Sequence, residues 1–192
     1  MNKNRLEAFS DGVLAILITI MVLELKPPYG SNWGAIKPVL ETLGSYLLSF
    51  VYLGIYWGNH HHLLHTANRV NAKIIWANMN LLFWLSLVPF VTSWMGGNSF
   101  DSVSVAVYAL LLVFCGISFS ILRKAIQLTK TEHTRFSEAF HKSNKKEQIS
   151  TVLYLAAIPL AFVDALISCA LIAIVAMIWI VPNKEIEQIL SE

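Results

Sequence analysis

Arg5, Glu7, Ser10 and Asp11 stand in the first turns of an apolar run that continues to Leu25. An ionisable group in such a run is costly in hydrocarbon. It marks an ion path, a proton relay, or a partner that neutralises it. A second polar group is Trp57, His60, His61, His62 and His65, near the end of another apolar run. Residues four apart share a helix face, so His61 and His65, with His60 beside them, could ligate a metal. No clear set of acidic or Cys partners accompanies them, and hydrogen bonding to other helix ends accounts for them better; no metal site and no cofactor is expected. A third group is Asn78 and Asn80, followed by Pro89, Phe90 and Thr92. An Asn within a span usually bonds to another helix, and the Pro bends or opens its own. Asp164 and Ser168 form a fourth group, near the joint between the last two apolar stretches.

Composition restricts what these groups can do. The chain has 192 residues, 56% hydrophobic and 14% charged, against about 25% charged in soluble domains. A formal charge of +2 argues against nucleic-acid binding. Cys115 and Cys169 lie in apolar blocks and make neither a disulfide framework nor a metal spacing. GxxxxGK[ST], HExxH, GxSxG and TVGYG are absent. No nucleophile and base stand at a recognisable spacing, so catalytic residues and an enzyme are not expected. The first block is a poor signal peptide, because acids interrupt its start and Glu24-Leu25-Lys26-Pro27-Pro28 is a poor cleavage region.

The elements that must position these groups are membrane helices. Six apolar spans are expected, over residues 6–25, 39–64, 72–94, 103–122, 149–166 and 167–181, as one domain covering 1–192. Pro27-Pro28 closes the first, Gly96-Gly97 follows the third, and Pro182 follows the sixth. Residues 130–148 form a basic, polar connection suited to anionic lipid. Of the 14 Lys and Arg, only Lys26 and Lys37 fall on one side of this arrangement; Lys3, Arg5, Arg69, Lys73, Lys184 and seven between the fourth and fifth spans fall on the other. The positive-inside rule then puts both termini in the cytoplasm of a multi-pass cell-membrane protein. Gly54 and Gly58 make a GxxxG pair that would permit close helix approach.

With Asp11 at 0° and about 100° per residue, Gly12, Ile16, Thr19, Ile20 and Leu23 fall between about 80° and 180°. They form an aliphatic stripe with one hydroxyl. Asp11 shares another face with Ala15, Ile18 and Val22. Periodicity alone assigns such a stripe to helix packing or lipid contact.

Arg5, Phe9-Ser10-Asp11-Gly12, Ala15-Ile16 and Thr19, with Trp57-x-x-His60-His61 and Asn80…Pro89-Phe90-x-Thr92, resemble the prokaryotic transmembrane protein 175 potassium channels. The likeness covers the whole chain and is strongest in the first three spans; His62 stands where many relatives carry a basic residue. It implies an all-α homotetramer in membrane lipid whose first helices line one central pore for potassium ions. Ile16 would be the constriction, Thr19 a hydroxyl layer, with Ile20 and Leu23 beyond. Arg5, Ser10, Asp11, Trp57, His60, His61 and Asn80 would be the polar network holding the pore helix. The alternative is a proton-coupled secondary transporter using Asp11 and the His60/His61 cluster, though no inverted repeat supports it. A non-conducting scaffold is a third.

Overall fold

In the computed structural model the chain is all-helical, and residues 2–28, 30, 32–67, 69–129 and 135–180 are described. Side chains at 37, 38 and 135–144 are outside that description, as are Lys130, Val181, Pro182 and Lys184. The described helices are α1 (Lys3–Leu23), α2 (Lys37–His65), α3 (Ala72–Ser86), α4 (Val88–Gly97), α5 (Ser102–Gln127), α6 (Arg135–Leu160) and α7 (Ala165–Ile180), with a short 3-10 turn at Trp33–Ile36.

The helix boundaries follow from local chemistry. The Asn71 side chain accepts from the Ile74 amide at 2.9 Å and starts α3. Asp101 accepts from Val103 at 3.1 Å and starts α5, and Asp164 accepts from Leu166 at 2.8 Å at the head of α7. Each side-chain oxygen satisfies an amide that has no partner inside its helix. Pro89 lacks an amide hydrogen, so the third apolar stretch breaks at Leu87 into α3 and α4, with the Pro in the first turn of α4.

Among the described residues, four stretches are long and apolar enough to cross a membrane: Lys3–Leu23, Trp33–His65, Ala72–Gly97 and Ser102–Gln127. The last two apolar segments differ from expectation in their division. The helix break falls at residues 161–164, not between 166 and 167, so α6 ends at Leu160 and α7 begins at Ala165. The cause is Asp164, which caps α7, while the Ser168 hydroxyl donates to the Ala157 carbonyl at 2.8 Å and ties the two helices across the joint. The connection expected over 130–148 is also partly helix, since α6 starts at Arg135.

α5 runs through the middle of the bundle, packed on α2, α3, α4, α6 and α7. α1 lies at the edge, against α2, α3 and α4. Leu6, Ser10, Leu14, Leu17 and Met21 are its buried residues, and their spacing makes one inward stripe. Among the glycines, the tightest contact within the subunit is not at Gly54 and Gly58, where an added Cβ would meet nothing within 4 Å. It is at Gly96, where a Cβ would collide with Ser45 Oγ and lie 2.8 Å from the Thr42 Cα.

Candidate pore-lining face and its polar support

The outward face of α1 carries the stripe read from helical phase. Phe9, Ile16, Thr19, Ile20 and Leu23 are exposed, and a Cβ at Gly12 would meet nothing within 4 Å. Ile16 is 57% exposed, so the described residues leave more than half of it uncovered. The Thr19 hydroxyl donates to the Ile16 carbonyl at 2.9 Å. That bond occupies its hydrogen and leaves the oxygen lone pairs on the outward face.

Asp11 lies to the side. Its Oδ1 accepts from the Trp57 indole N–H of α2 at 3.0 Å. Within the expected network, Asp11 bonds to Trp57 and not to Arg5 or a histidine. Arg5 is exposed and has no ion pair with Asp11. The histidines bind elsewhere. His61 Nδ1 meets Glu7 Oε1 at 2.9 Å, and His61 stacks on His65 with ring centres 6.1 Å apart. The buried His60 donates from Nε2 to Asn78 Oδ1 at 2.6 Å. Asn78 Nδ2 in turn donates to Ser10 Oγ at 2.9 Å, and Ser10 donates to the Leu6 carbonyl at 2.9 Å.

Three helices are thus joined through one buried chain: Ser10 of α1, Asn78 of α3 and His60 of α2. Each member is 0% exposed, so each bond also avoids the cost of an unpaired polar group in the interior. Lys3 Nζ adds a bond to the His65 carbonyl at 2.6 Å, placing a cation at the carbonyl end of α2.

Asn80 is not part of this network. It points to α5, where Nδ2 donates to Ser118 Oγ at 2.8 Å. Two residues on a helix are about 200° apart, so Asn78 and Asn80 serve opposite neighbours. Asn78 and Glu7 stand out in the sequence as polar groups in apolar runs, but the expected network around the pore helix does not include them. Asn78 sits four residues after Ile74, a position buried at 0%, which marks the inward face of α3 once the packing is known. Among the described residues no three His, Cys, Asp or Glu side chains converge as metal ligands would.

The fold and this site define a multi-pass helical membrane protein whose edge helix is braced on one side by polar bonds and bare on the other. The profile of the family described as endosomal/lysosomal potassium channel TMEM175 matches residues 5–89. The chain is 48% identical over 192 residues to a potassium channel of Chryseobacterium sp. (strain P1-3), covering 100% of both. It is 30% identical over 186 residues to a potassium channel of Chamaesiphon minutus, covering 90% of this chain and 91% of that one. It is 22% identical over 130 residues to the rat endosomal/lysosomal proton channel TMEM175, covering 65% of this chain and 25% of that protein. Its fold superimposes on a lysosomal potassium-selective channel TMEM175 homolog from Chamaesiphon minutus with a TM-score of 0.77 at 27% identity, over 92% of this chain and 95% of that one. The chain belongs to the TMEM175 potassium channel family, in its prokaryotic form.

Proposed function

We propose that the protein is a passive, potassium-selective cation channel, weakly selective over sodium, that works as a homotetramer around a central axis lined by α1. In this reading six passes form the subunit, with the apolar part of α6 and α7 as the fifth and sixth, and both termini are cytoplasmic. The observation that carries it is the α1 face itself. Ile16, Thr19, Ile20 and Leu23 are uncovered within the subunit, while Asp11 is turned aside to Trp57. A lipid-facing stripe needs no hydroxyl and no bracing network behind it, and the potassium channels similar to this chain supply the context.

Four Ile16 side chains around an axis would narrow the pore and expel water, a constriction that gates by dewetting. A small outward shift or rotation of α1 would let water and ions through. Thr19, with its hydrogen engaged on the Ile16 carbonyl, offers an oxygen to a partly dehydrated cation. Potassium sheds hydration more cheaply than sodium, and four such oxygens would repay part of that loss. The polar brace at Ser10, Asn78 and His60, with Asp11 on Trp57, fixes the angle at which α1 presents Ile16.

The test is reconstitution in a planar bilayer with recording in mixed potassium and sodium. Ile16→Asn is expected to raise conductance by easing wetting of the constriction. An unaltered conductance would remove Ile16 from it. Single-channel steps distinguish a channel from the proton-coupled transporter, which would give slow saturable flux without steps, and from a scaffold, which would give none.

A further inference from the structure

A run of polar residues crosses the subunit far from the α1 face. Thr42, Ser45, Ser49, Tyr52, Tyr56 and Asn59 recur along α2 at intervals of three and four, which sets them on one face. Midway along this run the hydroxyls are satisfied by protein. Ser49 Oγ is 2.6 Å from Thr92 Oγ1 and 2.8 Å from the Tyr108 hydroxyl. The Tyr52 hydroxyl donates to the Ile172 carbonyl at 2.6 Å and accepts from Tyr154 at 3.1 Å. One turn further on the pattern changes: the Tyr56 hydroxyl has no hydrogen-bond partner among the described residues.

Tyr56 lines a partly open cavity of about 40 Å³ between α2, α5, α6 and α7. Glu147 of α6 lines the same cavity. Its Oε2 is taken by Ser120 Oγ at 2.6 Å and by Arg123 Nη2 at 2.8 Å. Its Oε1 is buried with no partner among the described residues. Gly116 of α5 forms part of the wall, and a Cβ there would meet nothing within 4 Å. The missing side chain at Gly116 is therefore one source of the room.

A buried carboxylate oxygen without a donor is expensive, and so is a phenol without an acceptor. The wall is largely apolar, but Tyr56, Asn59 and Glu147 are polar members of it, so water at that end meets both demands, and there is space for about two or three molecules. A larger guest does not fit, since pockets for organic ligands start at about 300 Å³. A bare cation is disfavoured because Arg123 already neutralises Glu147.

We propose that this cavity is a built water site, in which ordered water donates to Glu147 Oε1 and accepts from the Tyr56 hydroxyl. The water completes the joint between α6 and the α2–α5 core, where Arg123 and Ser120 hold the other carboxylate oxygen. It stands apart from the α1 face and does not depend on the pore reading.

A dry void and a water site respond to substitution with opposite signs. Tyr56→Phe removes an unpaired hydroxyl from a dry void and would raise the melting temperature. It removes a water's donor from a hydrated one, and the expected result is a fall of about 2–4 °C. Gly116→Leu fills a dry void and gains helix propensity, both stabilising. In a water site it displaces the molecules that solvate Glu147, and a fall of several degrees is expected. The measurement is thermal unfolding of the purified full-length protein in detergent, with a map at water-resolving resolution. A fall in both variants and density within hydrogen-bond reach of Glu147 Oε1 support the site. A rise in Tyr56→Phe overturns it, and that variant decides the matter if Gly116→Leu does not fold.

Discussion

Trp57 donates its indole hydrogen to Asp11 Oδ1 at 3.0 Å, and this bond turns the only acid in the middle turns of α1 away from the Ile16 stripe. The acid that first suggests an ion site is a bracket between helices. Trp57→Phe keeps the ring's bulk and deletes the donor. Because the indole is about half exposed, the cost is set at about 1 kcal/mol, the low end for a bond to a charged acceptor. The expected outcome is a lower melting temperature and weaker self-association by size-exclusion chromatography, with the potassium/sodium permeability ratio retained. Asp11→Ala should behave likewise. A well-assembled Asp11→Ala protein altered in selectivity alone would refute the bracket role.

Asn78 and Asn80 should differ in consequence. Asn78→Ala leaves His60 Nε2 without its partner and Ser10 without its donor, both in fully buried surroundings, at about 1–3 kcal/mol for each group. Asn80→Ala breaks one part-buried bond to Ser118, worth about 1 kcal/mol. Thermal unfolding of the two variants side by side checks the order; equal losses would mean the Ser10–Asn78–His60 chain is not a special support.

Thr19 is the one hydroxyl on the outward stripe. Thr19→Val keeps shape and removes the oxygen, and the reversal potential in mixed potassium and sodium is expected to shift toward lower selectivity while conductance persists. An unchanged permeability ratio would eliminate the hydroxyl from selectivity without bearing on the proposed constriction by Ile16.

Arg123 and Glu147 form a buried ion pair at 2.8 Å between α5 and α6, with side chains 4% and 13% exposed. Removing one partner strands the other charge, so Arg123→Met is expected to cost about 3–5 kcal/mol. Arg123→Met with Glu147→Leu should recover much of that loss. A double variant no more stable than the single one would show that the pair adds net stability beyond mutual neutralisation.

Gly96 and Gly97 are adjacent but not equivalent. A Cβ at Gly96 meets the Thr42 backbone at 2.8 Å, and backbone cannot swing aside. Gly96→Ala should therefore separate α2 from α4 and cost about 1–3 kcal/mol. Gly97→Ala meets nothing within 4 Å and should be near neutral. Melting temperatures of the pair provide the check.

Much of α1 was legible because one helix has a fixed phase. A step of about 100° per residue puts Ile16 about 140° from Asp11 whatever surrounds them, and it puts Leu6, Leu14, Leu17 and Met21 opposite the stripe. Composition and the Pro and Gly punctuation gave the apolar stretches for the same reason: the cost of exposing backbone and charge to hydrocarbon acts locally. The FSD segment with Trp57-x-x-His60-His61 pointed to the family on residue identity alone.

Partner choice was decided only in three dimensions. Phase shows that Asn78 and Asn80 face opposite ways, but which of them meets α1 depends on the order in which α3 is flanked by α1 and α5. Glu7 reaches His61, and Asp11 reaches Trp57 in place of Arg5, because of the height at which α1 docks on α2. The close approach fell to Gly96 and not to the GxxxG pair because it depends on which face meets a neighbour, not on the spacing of small residues. The cavity at Glu147 has no sequence mark either, since four helices line it and none of them contains it alone. The sequence by itself determined the helices, their phases and the family; docking heights and neighbour order, which are properties of several helices at once, decided which polar groups bond to one another.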